Sequence, residues 1–403
     1  MAGNAPFRLA VIGAGPVGLA FALSLRALGV GARPVVFDAR DDAGAALADP
    51  RVLALSEGSR QALERIGAWP TEHVTPIADI HVSQCAPGLA ALPRVHLEAA
   101  DLGLGALGYT VRYGALLGAL EHAARGAGLE IVRGCAMRAR AEAGGVRLDA
   151  GEGAPISGAR DPVPGGLFDL AVLAEGGAFH DQAPRALHRD YAQTALVGQV
   201  RCEGLPRTTA IERFTSDGPV ALLPSGTEHA LVWCLPPERA QALRGLDPDG
   251  QRAALQAVLP AVAGQVRTLA VHGSYPLGLN AGWRAREGRI VRLGNAAQTM
   301  HPVAGQGLNL GLRDAVELAR VLTVVAGLDG TLREGLDAAL GRYARRRAPD
   351  RLGMLGLTDV LAQGFTLNLP GASALRAGAL GLLAACTPLR RTLQRHMVFG
   401  WRG

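Results

Sequence analysis

Residues 7–18 read FRLAVIGAGPVG. Phe7–Ile12 is a short apolar run that ends in Gly-Ala-Gly, which predicts a buried parallel strand. Pro16–Leu28 carries helical spacing, and Pro34–Asp38 is the next strand, so one βαβ unit fits within about 30 residues. Gly13, Gly15 and Gly18 then stand as G-x-G-x-x-G between a strand and a helix. The first glycine makes the tight turn, the second admits a pyrophosphate to the backbone, and the third allows close helix–strand packing. The helix N-terminus attracts the phosphate charge. Asp38 ends the second strand twenty residues after Gly18, where a carboxylate binds an adenosine ribose; capping a turn is the plainer reading. The motif predicts a dinucleotide without choosing NAD or FAD. Its place at the start of the chain favours a flavin over which the rest closes.

Ser56–Ile66 reads as a Ser-capped helix. Residues 70–108 are excursion strands, Tyr113–Ala127 is helical, and Leu129–Arg133, Val146–Asp149 and Phe168–Ala174 are strands around a Gly/Pro-rich loop at Gly151–Gly166. From about 190 to 285 the pattern turns to β runs: Ala195–Arg201, Thr209–Phe214, Val220–Pro224, Ala230–Leu235 and Leu269–Tyr275, with a helix at Pro248–Leu259. Arg289–Gly294 rejoins the first unit, Gly307–Val325 is a long helix, and residues 331–403 are mostly helical.

The chain has 403 residues, enough for two or three packed units. It is 49% hydrophobic and 19% charged, a folding composition. All 41 basic residues are arginine, so mechanisms that need a lysine are excluded: a P-loop NTPase, a pyridoxal Schiff base or a lysine general base. The five cysteines form no C-x-x-C pair, which argues against a metal ribbon, a redox dithiol or a disulfide framework and for a reduced cytosolic compartment. No leader and no membrane-spanning run are expected. The net charge of +6 points to an anionic ligand or surface.

Residues 294–315, GNAAQTMHPVAGQGLNLGLRDA, are a strand end, a loop with Pro302, a Gly-rich turn and the start of an amphipathic helix. Such a turn presents backbone N–H groups and a positive dipole end to a ligand, and beside a flavin it would stabilise the reduced ring. Few structural demands explain Gly305, Gly307 and Gly311 so close together. With this block, the glycine turn, the stretch Asp49–Ser56 (DPRVLALS), the run Glu212–Pro224 (ERFTSDGPVALLP), Leu231–Cys234 (LVWC), Tyr343–Arg347 (YARRR) and Leu357–Asp359 (LTD), nearly the whole chain resembles the flavin-dependent aromatic hydroxylases of the para-hydroxybenzoate hydroxylase fold, on the ubiquinone-biosynthesis branch.

The resemblance implies an α/β fold: an FAD-binding Rossmann-like domain of the glutathione-reductase type, an inserted β-sheet substrate domain and C-terminal helices. The FAD-binding parts are expected at 1–75, 109–188 and 286–345, a substrate-domain excursion at 76–108, the substrate sheet at 189–285 and the helical region at 346–403. It implies that Gly13, Gly15 and Gly18 hold the FAD pyrophosphate and Asp38 the ribose. Arg51 and Arg112 are expected beside the flavin, Gly294-Asn295 at the ribityl chain in place of the family's Gly-Asp, and Pro302 to Asn309, including Gly305, Gly307 and Leu308, along the ring. Glu175-Gly176 replaces the family's Asp-Gly, which leaves the electron donor less certain than the flavin; NAD(P)H is the expected donor and O₂ the cosubstrate.

The implied reaction is flavin reduction, reaction with O₂ and oxygen transfer from a C4a-hydroperoxide to an electron-rich phenol, with no metal. His301 and Pro302 are the residues nearest the chemistry, His301 either relaying a proton or packing as a hydrogen-bonded histidine. Phe214, Pro224 and Trp233 are candidates to line the substrate cavity, with ordinary core as the competing reading. Residues 331–403 hold eleven arginines against four acids, a formal +7, and so carry the whole basic excess. The expected partners are a polyprenyl phenol and, through this tail, an anionic membrane surface at the inner membrane, a second copy of the chain or a quinone-biosynthesis complex. Nucleic acid is not expected, as no reading motif is present. Hydroxylation of a small soluble aromatic, and a catalytically degenerate scaffold, are the competing functions.

Overall fold

The computed structural model describes residues 7–86, 88–91, 93–150, 166–176, 182, 185–326, 332–364 and 372–401. The chain runs β1 (Arg8–Ile12), α1 (Pro16–Ala27), β2 (Arg33–Phe37), α2 (Gly44–Leu47), β3 (Val52–Ser56), α3 (Glu57–Arg65), β4 (Val74–Ile77), β5 (Asp79–Gln84), β6 (Arg94–Glu98), β7 (Gly108–Arg112), α4 (Tyr113–Gly126) and β8 (Glu130–Val132). It continues through β9 (Met137–Glu142), β10 (Gly145–Ala150), β11 (Leu167–Phe168), β12 (Leu170–Leu173), β13 (Leu187–Gly204), β14 (Thr209–Phe214), β15 (Pro219–Ser225), β16 (Glu228–Leu235), α5 (Pro237–Arg244), α6 (Pro248–Val258) and β17 (Gly264–Ala281). It ends with β18 (Arg286–Glu287), β19 (Ile290–Arg292), β20 (Gln298–Thr299), α7 (Gln306–Ala326), α8 (Leu332–Gly364), α9 (Ala372–Ala385) and α10 (Thr387–Phe399).

The apolar run at the start of the chain is buried because β1 is central. It pairs in parallel with β2 on one side and β12 on the other, in a six-stranded sheet of order β18-β19-β12-β1-β2-β8. A strand covered on both faces reads as continuous hydrophobicity rather than alternation. Leu9 and Val11 face the helical layer of α1, α4 and α7. Ala10 and Ile12 face Met137, Val146 and Phe168 of the small antiparallel sheet β11-β10-β9.

The second large sheet has eight strands in the order β20-β17-β13-β16-β15-β14-β5-β6. The excursion contributes β5 and β6 to it, β5 pairing in parallel with β14, while β3, β7 and β4 form a small linking sheet. One face of the eight-stranded sheet is sealed by α5 and α6: Leu196, Ile211, Val220, Leu222 and Trp233 pack on Leu243 and Leu255. At the β5–β6 edge of the opposite face Val95 and Leu97 meet Leu380 of α9 and Val398 of α10.

α3 is capped as expected, Ser56 Oγ accepting from Ser59 N–H at 3.3 Å. Among the elements that escaped the sequence pattern are β9 and α5. β9 pairs along its length with β10 but alternates polar and small residues with little apolar signal. α5 has eight residues and buries only Ala240 and Leu243, too few to set a helical period. The loop expected at Gly151–Gly166 lies outside the described residues except for Gly166, as do residues 177–180 after Gly176.

Candidate active site

The phosphate turn is built by steric necessity at two of its glycines and by open space at the third. Gly13 has φ +108°, and a Cβ there would lie 2.7 Å from the Ala174 carbonyl oxygen. A Cβ on Gly18 would collide with the Gly13 carbonyl. Gly15 has φ −81° and caps α1, and a Cβ there would meet no atom within 4 Å. Nothing in the protein demands glycine at 15, and the space before it adjoins the positive end of α1.

The second turn lies beside the first. A Cβ on Gly311 would come 2.8 Å from Val17 Cγ2, and Gly294 (φ +55°) packs on the same valine. These two glycines therefore serve the packing of α7 on α1, a structural demand the sequence reading did not see. Gly307 again faces open space, and Gly305 has φ +59° with only Ala54 Cβ close by. Two helix N-termini with glycines that open onto space form a cradle that fits a flavin dinucleotide.

Asp38 is buried, and four donors fill its carboxylate. Ala14 N–H donates to Oδ2 at 2.8 Å, Arg40 N–H and Nε to Oδ1 at 2.9 Å each, and Arg40 Nη2 to Oδ2 at 2.8 Å. Burial pushes its pKa up, but Arg40 and the two amides outweigh that and hold it below the usual value. The ribose expected here would meet a carboxylate with all its acceptor positions taken. Glu175 lies two residues beyond the end of β12; desolvation of its carboxyl by the surrounding protein and then the Asp38 charge raise its pKa. Arg51 is tied to Asp49, with Nε 2.8 Å from Oδ2, and stands 5.2 Å from the Tyr113 ring centre. Arg112 is exposed at the N-cap of α4. Asn295 is exposed, and its carbonyl accepts from Arg185 Nη1 at 3.1 Å.

Asn309 is spent on the protein itself. Its Oδ1 accepts from Ser56 N–H at 2.8 Å and Ser59 Oγ at 2.7 Å, and its Nδ2 donates to the Ala54 and Gly305 carbonyls at 2.9 Å each. It locks the 302–309 turn to β3 and α3, so only its backbone is free to meet a cofactor. Leu308 packs against the helical core. Pro302 precedes a short 3₁₀ turn, and its carbonyl accepts from Gly305 N–H at 2.9 Å, so it shapes the turn.

The proton-relay reading of His301 is corrected. The ring is buried, its Nε2 lies 2.9 Å from Gln193 Oε1, and its Nδ1 accepts from Val303 N–H at 3.2 Å. These partners fix a neutral ring with the proton on Nε2, and burial pushes its pKa down to about 4. It pins the turn to β13.

Strand register divides the three substrate-lining candidates. Phe214 packs against Val303 of the 302–309 turn. Trp233 pairs with Val220 and Leu196 and lies in the core under α5 and α6, on the opposite face. Pro224 has the parity of Leu222 and Val220, and its carbonyl accepts from Thr110 Oγ1. Both are corrected to structural positions.

The face that Phe214 shares carries a row the sequence reading passed over. Val82, Glu212, Ala221, Val232 and Val197 are register partners across five adjacent strands. All five are part-exposed, whereas their neighbours on the helix-covered face, Arg213 apart, are buried. Glu212 is the one charged member. Its Oε1 is buried without a hydrogen-bond partner, and burial pushes its pKa up to about 8. Alternation around Phe214 was the clue available in sequence. Nearby, a cavity of about 80 Å³ is lined by Ile80, Leu97, Leu107, Gly305, Met397 and Val398. Among the described residues no His, Cys, Asp and Glu cluster has the makings of a metal site.

Comparison with known proteins agrees with this geometry. The model of an FAD binding domain matches residues 207–351, and that of an NAD(P)-binding Rossmann-like domain matches residues 11–64. The chain is 32% identical over 396 residues to ubiquinone hydroxylase UbiL of Rhodospirillum rubrum, covering 96% of this chain and 88% of that protein. It is 30% identical over 402 residues to 3-demethoxyubiquinol 3-hydroxylase of Escherichia coli, covering 95% of each. Among solved structures, Klebsiella pneumoniae HpxO complexed with FAD and uric acid superposes with TM-score 0.70 over 98% of both chains at 18% identity, a likeness of fold.

Proposed function

The chain belongs to the FAD-dependent monooxygenase family that includes the ubiquinone hydroxylases, and on that premise we propose that it hydroxylates the ring of a polyprenylated phenol, with NAD(P)H as electron donor and O₂ as cosubstrate. The observation that carries the proposal is the part-exposed, largely apolar row Val82–Glu212–Ala221–Val232–Val197, on the face whose Phe214 touches the flavin-side turn at Val303. A wall of that kind suits an aromatic ring with an apolar substituent.

In this reading the residues have distinct tasks. The N–H groups at the starts of α1 and α7 hold the pyrophosphate and ring edge of FAD. Bound FAD supplies reduction and oxygen activation. Asn309 and His301 fix the turn from two sides, so that its amides are preorganised. The apolar row excludes water and orients the phenol. The cavity beside Met397 and Val398 extends apolar surface from the turn to α10, where a prenyl chain would continue.

A polyprenyl phenol resides in membrane. Among the described residues no helix is long and apolar enough to cross one. α9 exposes Leu375 (78%) and Leu382 (59%), and α10, which shares a core cluster with α9, exposes Arg391 and Arg395; this surface supports a peripheral contact with anionic lipid.

The test uses purified holoprotein, which should be yellow. A prenylated phenol should stimulate NAD(P)H oxidation more than a small soluble phenol does, and deletion of the gene should accumulate a quinone precursor lacking one hydroxyl. Preference for the small phenol would favour the soluble-aromatic reading. Flavin binding without turnover on any phenol would favour a scaffold.

A further inference from the structure

We propose that Glu212 is the catalytic acid–base group that meets the hydroxyl of the phenolic substrate. The inference rests on the reading of the chain as a phenol hydroxylase.

Glu212 sits on β14 two residues before Phe214, so both side chains leave the same face of the sheet. Phe214 touches Val303, which puts this face opposite the flavin-side turn. Its register partners Val82 and Ala221, and Val232 beyond, are apolar and part-exposed, so the carboxyl stands alone in an apolar wall. Arg213 belongs to the other face, where its Nε donates to the Val258 carbonyl at 3.2 Å. Among the described residues no cation pairs with Glu212, and its Oε1 is shut off from solvent without a donor.

A carboxyl oxygen buried without a donor is destabilising and rare, and a ligand is one way to satisfy it. The titratable neighbours on this side do not supply a partner. The Cys234 thiol on β16 is held neutral by burial and then by Glu212 itself, and His301 on the facing turn is neutral and fully bonded. A phenol supplies what is missing, an O–H donor on an apolar ring. When the carboxylate takes that proton, the phenolic O–H bond breaks, a carboxyl O–H forms, and the negative charge passes to the ring, whose carbons become better nucleophiles. The pKa of about 8 leaves both protonation forms populated near neutrality, as an acid–base group requires.

The experiment compares wild-type, Glu212→Gln and Glu212→Ala holoenzymes with 2-prenylphenol and its methyl ether. Binding is read by flavin fluorescence and turnover by product formation between pH 6 and 9. In the wild type the phenol should bind about tenfold or more tighter than the ether, and kcat should rise with pH through about 8. Glu212→Gln should keep the preference for the hydroxyl and keep KM within about threefold, lose about 100-fold in kcat and lose the rise with pH. Glu212→Ala should lose the preference as well. All three should stay yellow. A wild type that binds phenol and ether equally, or a Glu212→Gln enzyme with wild-type kcat and pH profile, would overturn the role of Glu212 and leave the hydroxylase reading intact. A wild type that neither binds nor oxidises 2-prenylphenol would overturn both.

Discussion

Arg40 closes both oxygens of Asp38, its Nε 2.9 Å from Oδ1 and its Nη2 2.8 Å from Oδ2, and Ala14 N–H takes the remaining side of Oδ2 at 2.8 Å. The carboxylate therefore braces the glycine turn, and a ribose would reach it only after Arg40 swings away. Arg40 is about a third exposed, so that motion displaces no core side chain. Asp38→Ala should weaken FAD binding about tenfold or more and destabilise the protein by roughly 1–3 kcal/mol, because Ala14 N–H and Arg40 lose their acceptor. Arg40→Ala should leave the FAD dissociation constant within about threefold, since it frees acceptor positions as it removes a donor. Flavin fluorescence titration and thermal melts separate the two. The pKa of Asp38 is depressed in the fold, so its stabilisation is present above about pH 4 and is lost as pH falls through the folded value. Asp38→Asn should flatten that acid limb.

The glycines of the first turn make a sharper contrast. A Cβ on Gly15 meets nothing in the protein, and its φ of −81° suits any residue. Gly15→Ala should fold with stability within about 0.5 kcal/mol of wild type, yet lose most of its flavin, because the methyl group occupies the space assigned to the pyrophosphate. Gly18→Ala should instead lose more than about 3 kcal/mol, since the new Cβ collides with the Gly13 carbonyl. Equal damage from both would mean that the turn is merely structural.

His301 should be silent in the pH profile of turnover. Its pKa is depressed to about 4, so between pH 5 and 9 the ring stays mainly neutral. The protonated ring belongs to the unfolded chain. Its contribution to stability is therefore full above about pH 6.5 and is lost as pH falls from there towards 4. His301→Ala should cost roughly 1–3 kcal/mol at pH 7.5, as Gln193 and Val303 N–H lose a partner, and less at pH 5. Nitrogen-resolved NMR of the imidazole should show the Nε2–H tautomer across this range. A titration near pH 6–7 would restore the proton relay.

What could be read from the sequence divides along physical lines. Gly13, Gly15, Gly18 and the 294–315 block were legible because their demands are local: a tight turn, a close approach, a helix start. Trp233, Pro224 and Glu212 were not, because the face a strand residue occupies depends on partners far along the chain. Thr209–Phe214 reads plainly as a strand. Which of its sides faces the 302–309 turn is decided by Phe214 against Val303 and by Ile211 against the α5–α6 core. Chemical type misled at His301, which looked reactive and is fully bonded. Glu212, quoted only as part of a family stretch, is left without a partner. Gly311 taught the same lesson in reverse, a glycine that looked like ligand contact and serves helix packing on Val17.

The basic tail also changes meaning once its partners are known. Arg347 is spent on Asp314 and Asp350, Arg351 on Gln298, Arg346 on Glu317 and Arg390 on Asp101. These residues tie α8 to the flavin-binding body and α10 to the 76–108 excursion, and have little charge left for a surface. Arg395 remains exposed, and Arg391 is only loosely paired, 3.9 Å from Asp101. Any membrane contact should therefore be led by apolar residues: Leu375 and Leu382 on α9, with Leu89 (81% exposed) on the adjoining 3₁₀ turn Gly88–Ala91. Leu375→Glu/Leu382→Glu should abolish co-flotation with phosphatidylglycerol vesicles. Arg391→Gln/Arg395→Gln should reduce it by about 30-fold at low salt and less at high salt, at roughly 1 kcal/mol per arginine. Both variants should retain FAD, because neither pair lies near the glycine turns. Wild-type protein that floats with neither anionic nor neutral vesicles would remove lipid from the reading and leave the exposed leucines to a protein partner.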